Sequence, residues 1–323
     1  MIEIGIMGAG SIAIKMANTV NEMKSANLYG VASRDIAKAQ KFADTYHIEH
    51  AYGSYKDMAQ DPAIDLVYVA TPHSHHYHCA KMALNAGKHV LCEKAFTVNA
   101  EQAKALIQLA KDKKLLITEA LWTRYMPSRK ILNDVLVSGI IGDVVSLNVN
   151  LGYYLPDIER IHDPKLAGGA LLDVGVYVIN FARMVFGTDI VDVEATAIFE
   201  NGVDITDNIT FKYADNKMAT LQCGVNGIYN RLGAIYGTKG LIEVQNINNP
   251  EAIRIYNDNY ELIDTIGIPE QISGYEYEVE ACVKAIKNGE IECSEMPHEE
   301  TIAIMQIMDS IRKSWHYEIP LID

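Results

Sequence analysis

The first 120 residues alternate short apolar runs with amphipathic segments, and this alternation constrains the fold more than any other feature. The predicted strands lie near 2–7, 27–33, 65–70, 88–92 and 115–118, and the predicted helices near 11–24, 35–46, 55–60, 74–86 and 99–113. Strands that are apolar almost throughout are buried on both faces, and a helix between successive strands makes those strands parallel. The pattern therefore predicts an α/β fold whose doubly wound parallel sheet carries helices on both faces.

The pattern changes after Trp122. The second part is predicted to contain a helix near 126–137, a strand near 144–151, a helix near 170–186, strands with turn signals over 190–258, and helices near 274–289 and 298–314. Strands that follow one another without intervening helices favour a large, mostly antiparallel open sheet. Since 323 residues exceed one ordinary core, we expect two domains, residues 1–120 and an α+β domain of residues 121–323.

Composition excludes several classes of function. The net charge of −14 argues against nucleic-acid partners and against attachment to an acidic membrane surface, since both need a basic footprint. No signal peptide and no apolar run long enough to span a membrane is recognised. The five cysteines are scattered without zinc-site spacing, which favours reduced thiols. We therefore expect a cytoplasmic protein with a small-molecule substrate.

A glycine motif, Gly8-x-Gly10-x-x-Ala13, follows the first predicted strand directly and opens the first helix. Gly8 permits the tight turn, Gly10 lets the backbone approach a pyrophosphate, and Ala13 allows close contact between helix and strand. The helix is predicted to begin with Ser11 and Ile12, so its first backbone N–H groups would face the phosphates of such a ligand. The motif predicts a dinucleotide cofactor.

The end of the second strand distinguishes the two nicotinamide cofactors. NAD sites usually place a carboxylate there, whereas this chain has Ser33 and Arg34, with Lys38 one turn into the helix. A hydroxyl and two cations suit a 2′-phosphate, so NADP is favoured and NAD stays possible. Asp35 lies one residue later and is interpreted as a helix cap.

Histidines cluster after the next strand, in Thr71-Pro72-His73-Ser74-His75-His76. No carboxylate or cysteine accompanies them at ligand spacing, so no metal site is predicted. The interpretation is a loop against the cofactor with some exposed histidines.

Two further segments suggest proton chemistry. The stretch AGKHVLCEKAF ends an apolar strand in Glu93 and Lys94, and a lysine beside a bound dinucleotide is a candidate for proton transfer. On the helix near 170–186, Asp173, Tyr177 and Asn180 are spaced to lie on one face. A hydrogen-bonded core tyrosine is the alternative interpretation of that helix.

Together these motifs resemble the glucose–fructose oxidoreductase and inositol dehydrogenase family (Gfo/Idh/MocA). The similarity runs over most of the chain and includes the glycine motif, AGKHVLCEK and GGALLDVGVY at 168–177. The segment 119–125 and Tyr177 resemble the branch of dimeric dihydrodiol dehydrogenases and NADP-dependent sugar dehydrogenases. The family has an N-terminal Rossmann domain and a C-terminal domain for substrate binding and oligomerisation.

The resemblance implies roles for individual residues. The catalytic residues would be Lys94, Tyr177 and Asp173. The substrate pocket would be lined by Trp122, Arg124, Arg160 and Tyr177. Further cofactor contacts would come from Thr71, Pro72, His73, His76, Glu93, Lys94 and Trp122. A tyrosine needs a nearby cation to lower its pKa, and Lys94 or Tyr177 could be the group that transfers the proton.

One position departs from the family pattern. The usual motif is Glu-Lys-Pro, and its proline commonly follows a cis bond, whereas this chain has Ala95. Either the bond before Ala95 is also cis, or the loop is trans and Lys94 shifts.

The expected function is NADP-dependent hydride transfer between nicotinamide and a CH–OH group of a sugar, polyol or cyclic diol. The alternatives are a non-catalytic NADP-binding sensor and an oxidoreductase that keeps its cofactor while shuttling hydride between two sugars. Apolar residues in both registers of the second-domain strands, as in 195–199 and 218–221, predict a homodimer through that sheet.

Overall fold

The computed structural model describes residues 1–321, and its contacts divide the chain into two compact units. The first unit contains Met1–Tyr125 and Gln271–Gln306, and the second contains Met126–Glu270 and Ile307–Pro320. The first unit thus differs from the predicted residues 1–120 in two ways, because it runs on to Tyr125 and also includes residues 271–306. Ser25 donates to Glu280 at 2.6 Å, and the His298 ring contacts the Ile117 carbonyl at 2.9 Å.

The first unit is built on a six-stranded parallel sheet of order β3-β2-β1-β4-β5-β6. Its strands are β1 (Ile2–Met7), β2 (Ala26–Ala32), β3 (His50–Tyr52), β4 (Leu66–Val69), β5 (His89–Glu93) and β6 (Ile117–Ala120). The helices between them are α1 (Ser11–Glu22), α2 (Ile36–Tyr46), α3 (Tyr55–Gln60), α4 (His73–Asn85) and α5 (Ala100–Lys113). The doubly wound prediction is confirmed, while β3 was missed because it is three residues long and only half-buried.

The second unit contains an eight-stranded, mostly antiparallel sheet of order β14-β13-β12-β11-β7-β10-β9-β8. Its strands are β7 (Val144–Gly152), β8 (Ile190–Glu200), β9 (Val203–Tyr213), β10 (Met218–Gly224), β11 (Gly233–Gly237), β12 (Gly240–Gln245), β13 (Ala252–Asn257) and β14 (Leu262–Gly267). Only β7 and β10 pair in parallel among these strands. The antiparallel prediction is confirmed.

Helices complete both units. The remaining helices are α6 (Pro127–Val137), α7 (Glu159–His162), α8 (Val176–Phe186), α9 (Glu276–Asn288) and α10 (His298–Ser314). One face of the large sheet is buried, with Leu147, Leu221 and Ile235 fully enclosed, whereas Asn148 and Thr220 on the opposite face are exposed. This alternation along the central strands β7, β10 and β9 leaves one face of that part of the sheet open.

One helical stretch, Pro164–Phe186, meets the length and composition of a membrane span, contrary to the expectation from the sequence. Of its most apolar window, 83% is buried inside the protein. Such burial is the pattern of a core helix.

Candidate active site

The glycine turn after β1 leaves room for a phosphate group. Gly8 has a φ of +111°, and a Cβ there would lie 2.5 Å from the Ala70 carbonyl oxygen, so only glycine fits. A Cβ on Gly10 would meet nothing within 4 Å, and Gly10 directly precedes the first residue of α1. The open space in front of Gly10 and the unpaired N–H groups at this helix start together form a cradle suited to a pyrophosphate.

The residues that follow Gly10 have the expected positions. Ser11 is exposed and Ile12 is half-buried at the first turn of α1, whereas Ala13 is fully buried against the sheet. The small side chain of Ala13 therefore permits the close helix–sheet contact that the motif predicts.

The end of β2 combines a capping carboxylate with exposed cations. Asp35 caps α2 by accepting the Ala37 N–H at 2.9 Å, so its carboxylate serves the helix as expected. Arg34 and Lys38 are exposed. Burial lowers the pKa of the His75 ring, and the nearby Arg34 cation lowers it further. This places the Arg34 charge close to the beginning of α4.

The segment after β4 was predicted as a loop against the cofactor with some exposed histidines, but only Thr71 and Pro72 precede the helix, because α4 begins at His73, one residue before the helix predicted near 74–86. Thr71 and Pro72 are half-buried before it, and the rings of His73 and His76 are 6% and 1% exposed. Both ring nitrogens of His76 lie 2.8 Å from carbonyl oxygens, those of Thr71 and Ala95. His76 thus connects the cofactor-side segment to the Lys94 loop.

The Lys94 loop follows β5 directly. Glu93 is buried, receives a hydrogen bond from the Tyr68 hydroxyl, and accepts the Lys94 N–H at 3.2 Å. The peptide bond between Lys94 and Ala95 is cis, the first of the two alternatives that the sequence left open. The Lys94 side chain is half-buried. Because β1 and β5 are parallel, Lys94 and the glycine turn follow strand ends at the same edge of the sheet.

Glu119, a residue without an assigned role in the sequence analysis, supports the same loop. It lies on β6, is 1% exposed, and accepts the Phe96 N–H at 3.1 Å and the Thr301 hydroxyl at 3.2 Å. Burial raises the pKa of its carboxyl to about 7. A carboxylate within a short, fully buried strand was the sequence signal for this position.

Two residues predicted to line the substrate pocket are enclosed within the first unit. The Trp122 ring stacks on Tyr275 with centroids 4.3 Å apart. Arg124 is 5% exposed and forms an ion pair with Glu300. The charge of Arg124 is thus already paired with a carboxylate.

Three of the predicted site residues lie in the second unit, two of them on one helical segment and the third on α7, which precedes that segment. Asp173 accepts a 2.7 Å hydrogen bond from Arg160, which lies on α7 and is 41% exposed at its side chain. The segment Leu171–Gly175 is a π-helical turn that leads into α8, where Tyr177 is 8% exposed. Asn180 is fully buried and donates to the Val176 carbonyl, so it belongs to the core. Such π turns are frequent at functional sites.

The start of this helical segment is anchored by a buried acid. Asp204 on β9 accepts the Leu171 N–H at 2.6 Å, and a Cβ on Gly169 would collide with its carboxylate. Burial raises the pKa of Asp204. Burial also raises the pKa of Asp207 well above its usual range, and the Asp204 charge adds to that effect.

Among the described residues 1–321, no group of three or more His, Cys, Asp or Glu side chains could hold a metal ion. All five cysteines are buried and free. The candidate residues of the first unit are therefore those of the glycine turn, the basic strand end and the Lys94 loop, and those of the second unit lie on and before the helix that carries Tyr177.

Comparisons with known proteins cover nearly the whole chain. Residues 2–121 match the model of an oxidoreductase family with an NAD-binding Rossmann fold (Gfo/Idh/MocA), and residues 130–243 match the Gfo/Idh/MocA C-terminal domain. The chain is 31% identical over 322 residues to a trans-1,2-dihydrobenzene-1,2-diol dehydrogenase from Danio rerio, covering 96% of this chain and 95% of the relative. The Mus musculus protein of the same name is 30% identical over 324 residues, or 96% of each chain.

Two solved structures share the fold. A 3-ketoreductase from Actinomadura kijaniata in complex with NADP and TDP-benzene superposes with a TM-score of 0.89 at 24% identity over 97% of each chain. An aldose-aldose oxidoreductase from Caulobacter crescentus complexed with glycerol has a TM-score of 0.88 at 20% identity, covering 98% of this chain and 97% of the other.

Proposed function

The chain belongs to the Gfo/Idh/MocA oxidoreductase family, and on this premise we propose that it is an NADP-dependent dehydrogenase that acts on a CH–OH group of a cyclic diol, sugar or polyol. One observation carries the proposal. The open cradle in front of Gly10 and the Lys94 loop follow parallel strands at the same edge of the first unit's sheet. Ligands of such sheets bind outside the carboxyl ends of the strands.

NADP is the cofactor that the residues at the end of β2 fit best. Arg34 and Lys38 are exposed, and Asp35 is occupied as a helix cap. The 3-ketoreductase with the same fold is a complex with NADP. Two cations and the Ser33 hydroxyl would hold a 2′-phosphate, which a carboxylate at this position would repel.

Replacing Arg34 with alanine is expected to lower kcat/KM for NADP by roughly 10- to 100-fold, the effect of losing one hydrogen bond to a charged group. The value for NAD should change less than about threefold, since NAD has no 2′-phosphate to bind. Lys41→Ala, also exposed on α2, is the matched control. Steady-state kinetics with both cofactors test this, and an equal loss for NAD and NADP would contradict the role of Arg34.

The substrate class follows from the curated relatives. Both are trans-1,2-dihydrobenzene-1,2-diol dehydrogenases that match at 30% and 31% identity over almost their full lengths. A trans-dihydrodiol of a cyclic diene is therefore the first substrate to test. Sugars and polyols, which present similar vicinal hydroxyls, come next.

The chemistry requires a group that takes the hydroxyl proton and a cation that stabilises the developing alkoxide. We assign these tasks to Tyr177 and Lys94. NADP, when bound, supplies the nicotinamide that accepts the hydride. Glu93 holds the Lys94 backbone through the 3.2 Å hydrogen bond, and Asp173 keeps Arg160 in place through the 2.7 Å ion pair.

A panel of trans-dihydrodiols, aldoses and polyols, followed at the NADPH absorbance, tests the proposed function. Turnover on at least one member is the expected result. Saturable NADP binding without turnover on any member would instead favour a sensor. Cofactor that remains bound through gel filtration would favour an enzyme that shuttles hydride between two sugars.

We also propose that the open face of the large sheet forms a homodimer. Thr220 and Asn148 are exposed on the neighbouring central strands β10 and β7, and exposed apolar side chains such as Met218 and Ile198 lie on the same face. A broad, half-apolar sheet face of this kind is suited to a second copy of the chain.

The variant Thr220→Arg tests the dimer. A buried arginine without a partner is costly at a symmetric interface, so the variant is expected to elute as a monomer where the wild type is a dimer. Light scattering after size exclusion gives the masses, and Thr45→Arg, on the exposed surface of α2, is the control. A monomeric wild type would contradict the proposal.

A further inference from the structure

The backbone of the Lys94 loop is held at three successive residues by three buried acid or base side chains. The Lys94 N–H donates to Glu93, the Ala95 carbonyl contacts the His76 ring, and the Phe96 N–H donates to Glu119. The exposed fractions of the three supporting side chains are 5%, 1% and 1%. Three ionisable side chains therefore contact three successive backbone positions of this loop.

Of these three side chains, Glu119 connects the loop by hydrogen bonds to a distant part of the chain. Its Oε1 accepts the Phe96 N–H at 3.1 Å, and its Oε2 accepts the Thr301 hydroxyl of α10 at 3.2 Å. Neither oxygen faces solvent, since the residue is 1% exposed. Register places Glu119 beside Cys92, two residues before Lys94. The Cys92 thiol in turn donates to the Phe96 carbonyl at 3.6 Å.

We propose that Glu119 is a positioning residue, which through the Phe96 N–H holds Lys94 in the geometry needed for proton transfer. This inference rests on the proposed function, because it assigns Lys94 a task in the reaction. A negatively charged acceptor binds an N–H more strongly than a neutral one. The charge of Glu119 therefore determines how firmly the end of the Lys94 loop is fixed.

The groups around Glu119 determine when that charge is present. Burial raises the pKa of Glu119 to about 7, the hydroxyl of Thr301, the Phe96 N–H and the Arg124 cation lower it, and the Glu93 carboxylate raises it. Further charged or titratable neighbours are Cys92 on β5, which is fully buried, Tyr125, whose hydroxyl donates to the Glu119 carbonyl at 2.9 Å, and Glu300 on α10, which is paired with Arg124.

The direction of the pH dependence follows. Above about pH 7 the buried carboxyl is ionised and anchors Phe96 with a charge-assisted hydrogen bond. As pH falls through this value the carboxyl takes up a proton and becomes a neutral acceptor. The anchor weakens, so kcat should fall on the acidic side while the affinity for NADP changes little.

Selective labelling gives a readout of this anchor that is independent of turnover. The chain contains six phenylalanines, so a ¹⁵N-phenylalanine sample gives few amide signals, and a Phe96→Leu sample identifies the one from Phe96. In wild type this signal should shift with a midpoint near pH 7. The shift should be absent in Glu119→Gln. In Thr301→Val its midpoint should lie at higher pH, because a hydrogen bond that favours the ionised form is lost.

The kinetics should follow the same titration. Glu119→Gln, which mimics the protonated acid in shape and charge, should lower kcat at pH 8 by about tenfold with the NADP Kd within about twofold, and should abolish the step near pH 7. Thr301→Val should move the midpoint of this step in kcat to higher pH, as it should move the midpoint of the Phe96 signal. Lys94 and Tyr177 are present in both variants, so a lost or displaced step belongs to Glu119.

The possible outcomes distinguish failure of the positioning role from failure of the proposed function. A Phe96 signal without the titration, or a kcat step that persists in Glu119→Gln, would overturn the positioning role while leaving the dehydrogenase intact. A wild type that binds NADP but turns over no diol, sugar or polyol would overturn the proposed function, and the positioning role with it.

Discussion

Replacing Lys94 with methionine is expected to lower kcat by about 10³-fold, within the range found for the loss of a proton-transfer or alkoxide-stabilising group. Methionine keeps an unbranched, apolar stem in the half-buried position and removes the ammonium group. Glu93, His76 and Glu119 bond the loop's backbone, so the loop itself should stay in place. Stopped-flow or steady-state kinetics with a trans-dihydrodiol and NADP measure the effect.

The matched control is Lys104→Met, on the exposed surface of α5, which should retain wild-type kcat. NADP binding to Lys94→Met, measured by fluorescence, should weaken by no more than about tenfold, the effect of one lost hydrogen bond. Near-normal kcat in Lys94→Met would show that the lysine has no task in the chemical step.

Replacing Tyr177 with phenylalanine is expected to lower kcat by roughly 10²- to 10³-fold with KM for the diol changed by less than about fivefold, since an acid–base group contributes chiefly in the transition state. The ring is 8% exposed at the start of α8, so phenylalanine preserves its packing and removes only the hydroxyl. The thermal midpoint should therefore remain close to that of wild type. Tyr256→Phe, which loses a hydroxyl on β13, is the control.

The double variant Lys94→Met/Tyr177→Phe indicates whether the two side chains act in one step. When two side chains act in the transfer of the same proton, the losses in kcat from removing each of them are far from additive in free energy. The double variant should then be about as slow as the slower single variant. Fully multiplied losses would mean that Lys94 and Tyr177 contribute to separate steps.

The features set by local chemistry could be predicted from the sequence. The βα alternation determined the parallel sheet, because apolar strands and intervening helices leave few other topologies. The Asp35 cap likewise depends on residues only two or three positions away. The turn signals within 190–258 located ends of strands in the large sheet, such as those of β8 at Glu200 and β11 at Gly237, for the same reason.

The features that depend on distant parts of the chain could not be predicted. Residues 271–306 join the first unit through contacts to residues more than 100 positions away. The stacking of Trp122 on Tyr275 and the pairing of Arg124 with Glu300 arise from this return of the chain. The Thr301 contact to Glu119 has the same origin. Spacing alone also could not distinguish the π-helical turn at Asp173 from regular α-helix.

Transfer of an isotopic label tests the central claim most directly. A trans-dihydrodiol deuterated at its carbinol carbons is mixed with NADP and the wild-type protein, and the nicotinamide product is examined by mass spectrometry. Hydride transfer from the CH–OH group predicts NADPH that carries one deuterium, formed by the wild type and only about 10⁻³ as fast by Lys94→Met. Bound NADP that acquires no deuterium from the diol, or from sugars and polyols labelled in the same way, would contradict the account.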